Sequence, residues 1–220
     1  MKFENAAKGV KKIFSAEILS LIAGIFTAVA TILIIPLAAS AKLESGAGLL
    51  ASGFGMVALV TAAAVLIIIA FIFHIIGIST AAKDEPSFKT AIIFLIVGIV
   101  TSMVSAFTQA GVPVLSSILD VVSKICSLCV TLFIIQGVIN LAEKLNNDEI
   151  ANKGRNLFKI ITAMYVLMLI AYVLVAVFRA NPVTATIAIV MVVIAMILSV
   201  IQYILFLVYL SSAKKMLNAE

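Results

Sequence analysis

Six charge-poor apolar stretches dominate this chain: Ile18 to Ala39, Val57 to Ile78, Thr90 to Ala110, Leu115 to Leu141, Ile160 to Phe178 and Val183 to Leu210. A helix needs roughly 20 predominantly apolar residues to cross the hydrocarbon core of a bilayer, and each stretch is close to or above that length. Of the 220 residues 64% are hydrophobic and 11% charged, with a mean hydropathy of +1.30, against about 45–50% hydrophobic in globular domains. The fold class that follows is all-α: a polytopic membrane bundle of six transmembrane helices over residues 18–220. Short connections leave no room for a soluble catalytic domain.

The pI of 9.3 raises the question of nucleic acid, which the placement of charge answers. Twelve of the 15 basic residues, from Lys2, Lys8, Lys11 and Lys12 through Lys83, Lys89, Lys144, Lys153, Arg155 and Lys159 to Lys214 and Lys215, fall on the side of the N-terminus. Lys42, Lys124 and Arg179 fall opposite. The positive-inside rule then puts both termini in the cytoplasm of a prokaryotic cell, and the expected partner is the lipid bilayer, not nucleic acid. A second membrane protein or a second copy of the chain is the further partner considered. Lys11-Lys12 followed by an apolar run and Ala39-Ser40-Ala41 resembles a cleavable signal peptide. However, the 22-residue run exceeds the 7–15 of a signal h-region and reads as a retained anchor.

Residues 1–17 carry a different pattern. Phe3, Ala7, Val10 and Phe14 recur at helical spacing while Lys2, Lys8, Lys11 and Lys12 lie off that stripe, describing a basic amphipathic helix on the inner leaflet. Beyond it the chain repeats. FHIIGISTAAK, FIIQGVINLAEK and YLSSAKK close the even spans, and KKIFS, EPSFK and RNLFK open the odd ones, so the unit is a two-helix hairpin used three times, approximately 12–83, 86–144 and 156–215. Ser20, Gly24 and Ala28 in the first span, and Gly98, Ser102, Ala106 and Ala110 in the third, form small-residue stripes expected to bring helices together. Met168 and Tyr172 stand in their place in the fifth. The junction K-D-E-P-S-F-K-T-A, Lys83 to Ala91, resembles that of an uncharacterised family of bacterial and archaeal six-span membrane proteins. The resemblance covers the hairpin junctions and implies a six-helix fold, with no activity or site to carry over.

Four features could carry chemistry. Cys126 and Cys129 form a C-x-x-C that lies about 22 Å from the inner boundary marked by Lys144, near the outer face, where quinone-linked thiol oxidoreductases place theirs. Val112-Pro113 is a good helix start, which would leave both thiols mid-helix, without first-turn activation and hard to bridge. A start at Ser123 would restore the redox reading. Asp120 and Lys124, four apart with the acid first, read as a solvated outer pair, or as a pathway if inside the bundle. His74, the single histidine, lies about 13 Å from Lys83, and Gln136 and Gln202 lie at comparable depth, so the three are candidate substrate-binding residues. The glycines at 46, 48, 53 and 55 read as flexible turn and close packing.

A zinc site joining His74 to the cysteines fails, because a depth difference of roughly 9 Å cannot be spanned by bonds of about 2.0–2.3 Å. No phosphate, dinucleotide or metalloprotease motif is present, so no cofactor or metal is expected. The functional expectation is a non-enzymatic membrane protein, either a small-solute carrier or a helical subunit of a membrane complex. The alternative is a membrane thiol-disulfide oxidoreductase using Cys126 and Cys129.

Overall fold

In the computed structural model the backbone is described for residues 2–40, 46–109, 111–177 and 182–219, with side chains omitted at 34–40, 46–54, 113–114, 169–177, 182–193 and 195–196. Lys42, Arg179, Ala41, Ala110 and Phe178 therefore lie outside the described residues, as do the surroundings of Gly46, Gly48 and Gly53 and the side chain of Tyr172.

The described chain is all-α, with no strand among the described residues: α1 (Glu4–Ser40), α2 (Gly46–Ala81), α3 (Ser87–Thr108), α4 (Pro113–Lys144), α5 (Asp148–Val177) and α6 (Pro182–Ala219). Continuous helix is what apolar sequence of this length must form away from water, since every backbone N–H and C=O then finds its partner within the segment. Among the described residues five segments are long and apolar enough to cross a bilayer: Glu4–Leu33, Gly55–Ala81, Ser87–Thr108, Leu115–Lys144 and Ile197–Ala219. Their surfaces carry exposed Ile32, Val57, Ile93, Ile118 and Ile197, which water would not tolerate in such number. This is a membrane-embedded helical protein. The apolar half of α5 runs through 169–177, whose side chains are not described.

The chain divides into two compact units, Lys11–Gly77 on one hand and Met1–Val10 with Ile78–Glu220 on the other. In the first, apart from fully buried Ile13, the described residues withdrawn from the surface are small and recur every seven positions: Ala16, Ala23 and Ala30 on α1, and Ala63, Ala70 and Gly77 on α2. Seven-residue spacing keeps one narrow seam in register along a helix. Ser20, Gly24 and Ala28, expected at that seam, are instead exposed, and a Cβ added at Gly24 would touch nothing within 4 Å. Both stripes consist of small residues on neighbouring faces of α1, so composition alone does not select between them. Thr27 and Thr31 donate to the carbonyls of Ala23 and Thr27, satisfying their hydroxyls within the helix.

In the second unit the buried core gathers at the junction ends of the helices: Phe88, Ile135, Leu141, Ile161 and Leu210 are all fully enclosed. The physical reason is that lipid covers apolar side chains along the spans, whereas near the water-facing ends only protein can. α1 is unbroken through residue 17, and Ala6, Ala7 and Val10 of its first turns are buried by protein while Lys8, Lys11 and Lys12 stay exposed.

The tight connections are built by capping residues. After α4, Asn146 adopts φ 53°, a left-handed turn that Asn accepts more readily than other side chains, and the N–H of Asn147 bonds the Ala142 carbonyl at 2.9 Å. Asn147 then accepts from the Ile150 N–H at 3.1 Å to start α5, with Asp148 and Glu149 in the first turn complementing the helix dipole. At the turn before α3, Asp84 caps α1 from a distance, its carboxylate accepting from the Ala6 N–H at 2.8 Å and from Asn5 Nδ2 at 2.9 Å.

α3 and α4 pack antiparallel along a seam of mixed chemistry. Phe88 covers Gly137 at the junction end, Phe94 stacks on Phe133 with centroids 5.5 Å apart, and Gly98 faces Cys126. Further out, Ser102 and Ser123 share a hydrogen bond at 2.5 Å. Gly98 and Ser102 thus lie at this contact, as their stripe suggests; Ala106 is exposed.

Candidate functional site

Three polar constellations interrupt the apolar body. The first is built on Glu85, which is 3% exposed although it sits in a turn. One carboxylate oxygen accepts from Asn140 Nδ2 at 2.8 Å and from the Ser87 hydroxyl at 3.1 Å, and the other pairs with Lys144 Nζ at 2.5 Å. Gln136 Nε2 donates to Asn140 Oδ1 at 2.7 Å. Gln136, Asn140 and Lys144 recur every four residues on α4, so one helix face supplies the whole polar stripe. Burial alone would push the Glu85 carboxyl up, yet hydrogen bonds from Asn140, Lys144 and Ser87, with the Lys144 charge, outweigh it and hold the group below its ordinary value. Glu85, Pro86, Asn140, Glu143 and Lys144 line an open groove of about 500 Å³. Lys144 also lies over the Phe3 ring, 5.9 Å from its centroid.

The second constellation joins α1 to α2. His74 Nδ1 is 3.4 Å from Glu17 Oε1, with the two side chains 19% and 14% exposed. The third lies in the outer half of the α3–α4 seam. Buried Ser105 donates to Asp120 Oδ1 at 2.5 Å and lies 3.0 Å from the hydroxyl of buried Ser116. Asp120 is thereby tied to α3, a contact that its spacing from Lys124 does not reveal.

The predicted site residues have these immediate surroundings. His74 meets Glu17, Gln136 meets Asn140, and Gln202 on α6 has a buried Oε1 without a hydrogen-bond partner among the described residues. Glu85, Asn140 and Glu17 were not singled out by sequence. The four-residue rhythm Gln136, Asn140, Lys144 was a readable signal for the second of them. Glu85 and Glu17 carry no comparable signal, because nothing local says that a distant helix will enclose them.

Cys126 and Cys129 are free thiols, the first buried and the second half-buried. α4 starts at Pro113 with Val112 as its N-cap, not at Ser123, so the pair lies roughly three and a half to four and a half turns inside a continuous helix. A Cβ at Gly98 would approach the Cys126 Cβ to 3.2 Å, which shows how closely α3 covers that residue. We expect Cys126 to stay unmodified by a membrane-impermeant maleimide until the protein is denatured. Mass spectrometry of the intact chain after mild oxidation checks the same point: a loss of two hydrogens in native membranes, signalling a disulfide, would contradict it.

Among the described residues no group of three His, Cys, Asp or Glu side chains is placed to hold a metal ion. Comparison with protein-family models, curated protein sequences and solved structures finds no match to this chain.

Proposed function

We propose that this chain is a non-enzymatic multi-pass protein of a prokaryotic cytoplasmic membrane that carries a small polar solute. In this reading it crosses six times as three hairpins with both termini cytoplasmic, and the exposed Lys8, Lys11 and Lys12 meet the anionic inner leaflet. The observation that carries the proposal is the set of ionisable and amide side chains, Glu17, His74, Gln136 and Gln202, on helices otherwise apolar enough to span a bilayer. Such groups are costly in hydrocarbon and default to function.

The test needs no known substrate. In a background with Cys126→Ala and Cys129→Ala, single cysteines at Gln136 and Gln202 are exposed in proteoliposomes to a small charged thiosulfonate. Reaction of both supports a water-filled path; inertness of both from either side ends the carrier reading.

A second reading, a helical subunit of a membrane complex, is favoured by the exposed small stripe Ser20, Gly24 and Ala28. A cysteine at Gly24 would then crosslink between chains, to a second copy or to a partner helix. Absence of any crosslinked species in native membranes would remove it.

A further inference from the structure

We infer that the groove at the ends of α3 and α4 binds the headgroup of a phospholipid that carries both an ammonium and a phosphate. Its place in the fold is the first reason. Glu85 and Pro86 immediately precede the span Ser87–Thr108, and Glu143 and Lys144 close the span Leu115–Lys144, so the groove opens at the depth where headgroups lie. Its volume of about 500 Å³ is in the range that takes a small-molecule ligand. Charge is the second reason. The carboxylates of Glu85 and Glu143 line the groove together with the Lys144 ammonium, and Arg155 pairs with Glu143. These four charges cancel, so neither a plain anion nor a plain cation is favoured.

What the groove does offer is one hydrogen-bonding group of each kind. Lys144 has three N–H donors and gives one to Glu85 Oε2, while Glu143 receives Arg155 on Oε1, which leaves Oε2 as an acceptor. Both side chains are 46% exposed and within reach of a ligand, whereas Glu85 and Asn140 are occupied by each other and by Ser87, Gln136 and Lys144. A phosphate at Lys144 and an ammonium at Glu143 supply the matching charge-assisted bonds. Lys144 is also positioned in advance, by Glu85 at 2.5 Å and by the Phe3 ring beneath it, so a ligand loses less in ordering that long side chain. The Glu85 network explains how α3 is fastened to α4, but not Glu143, which takes no part in it and still lines the groove. The third reason is the adjoining surface. Pro86 lines the groove and is exposed, and exposed Ile93, Val97 and Val100 follow it on the same face of α3. An acyl chain can therefore run along α3 from a headgroup seated in the groove, a contact that a free zwitterion cannot make.

The test uses the intact chain in detergent, stripped of lipid and titrated with dioleoyl lipids that differ only in headgroup, with bound lipid counted by native mass spectrometry. Phosphatidylethanolamine should bind about tenfold more tightly than phosphatidylcholine, which keeps both charges and loses every ammonium N–H, the worth of one hydrogen bond to a charged group. Glu143→Gln should abolish that preference, and Lys144→Ala should weaken both lipids. Glu149→Gln, whose carboxylate pairs with Lys153 and does not line the groove, should change neither. Equal binding of the two lipids, tighter binding of phosphatidylglycerol, or a preference indifferent to Glu143→Gln would overturn the proposal. Soluble O-phosphoethanolamine that binds as tightly as the lipid would overturn it too, leaving a free zwitterion as the ligand. Because the wild-type comparison decides by itself, a variant that fails to fold does not shield the idea. The inference stands apart from the carrier reading: inert cysteines at Gln136 and Gln202 beside an ethanolamine preference would sink transport and keep the lipid site, and the converse result would do the reverse.

Discussion

Gly137→Ala is expected to destabilise the protein by about 2–3 kcal/mol, the cost of forcing extra volume into a packed site. A Cβ at residue 137 would fall 2.6 Å from Cε2 of Phe88, 2.8 Å from Cζ and 2.9 Å from Cδ2, and the Phe88 ring is fully buried with nowhere to retreat. Gly154→Ala should behave in the same way, because its Cβ would press on Ile139 and on the ring and hydroxyl of Tyr209. Gly24→Ala is the control: it meets nothing within 4 Å, and removing a mid-helix glycine gains up to about 1 kcal/mol. Thermal unfolding in detergent, read by loss of a folded-state signal, ranks the three. Equal behaviour of Gly137→Ala and Gly24→Ala would show that the Phe88–Gly137 contact does not hold α3 against α4.

Glu85→Ala should cost about 2–4 kcal/mol, since it removes the buried acceptor that Asn140, Ser87 and Lys144 share and leaves their donors unmatched. Lys144→Ala should cost less, about 1 kcal/mol or under, because the Lys144 side chain is 46% exposed and Glu85 keeps its other two donors. The pH dependence follows from the lowered pKa of Glu85. A carboxyl that ionises more readily when folded contributes stability that is present above its ordinary value of 4.5. That contribution is lost as pH falls below 4.5 and through the lowered folded value. Acid denaturation of the wild-type protein should therefore show a loss of stability in this range that Glu85→Gln lacks. Identical acid curves for the two proteins would mean that the hydrogen bonds at Glu85 carry no stability.

Several parts of this arrangement are legible in the sequence. The helical class and membrane character follow from apolar run length, and the start of α4 follows from Val112-Pro113, because proline fixes the backbone angle that a first helical residue needs. Phe88 was visible as a recurrent aromatic after a polar turn, although its role against Gly137 was not. The small-residue stripe of α1 was read one face away from the residues that are buried. Asn140 could have been found from its rhythm with Gln136 and Lys144.

What sequence by itself determined is what local chemistry and solvent govern: helix length from the thickness of oil, and helix ends from Asn and Pro. Tertiary structure alone decided which polar groups meet. Glu17 finds His74 across 57 positions and Glu85 finds Asn140 across 55, because pairing depends on how helices rotate and approach, and in lipid that rotation is set by close packing of small residues on neighbouring helices. Single-helix patterns carry no such information.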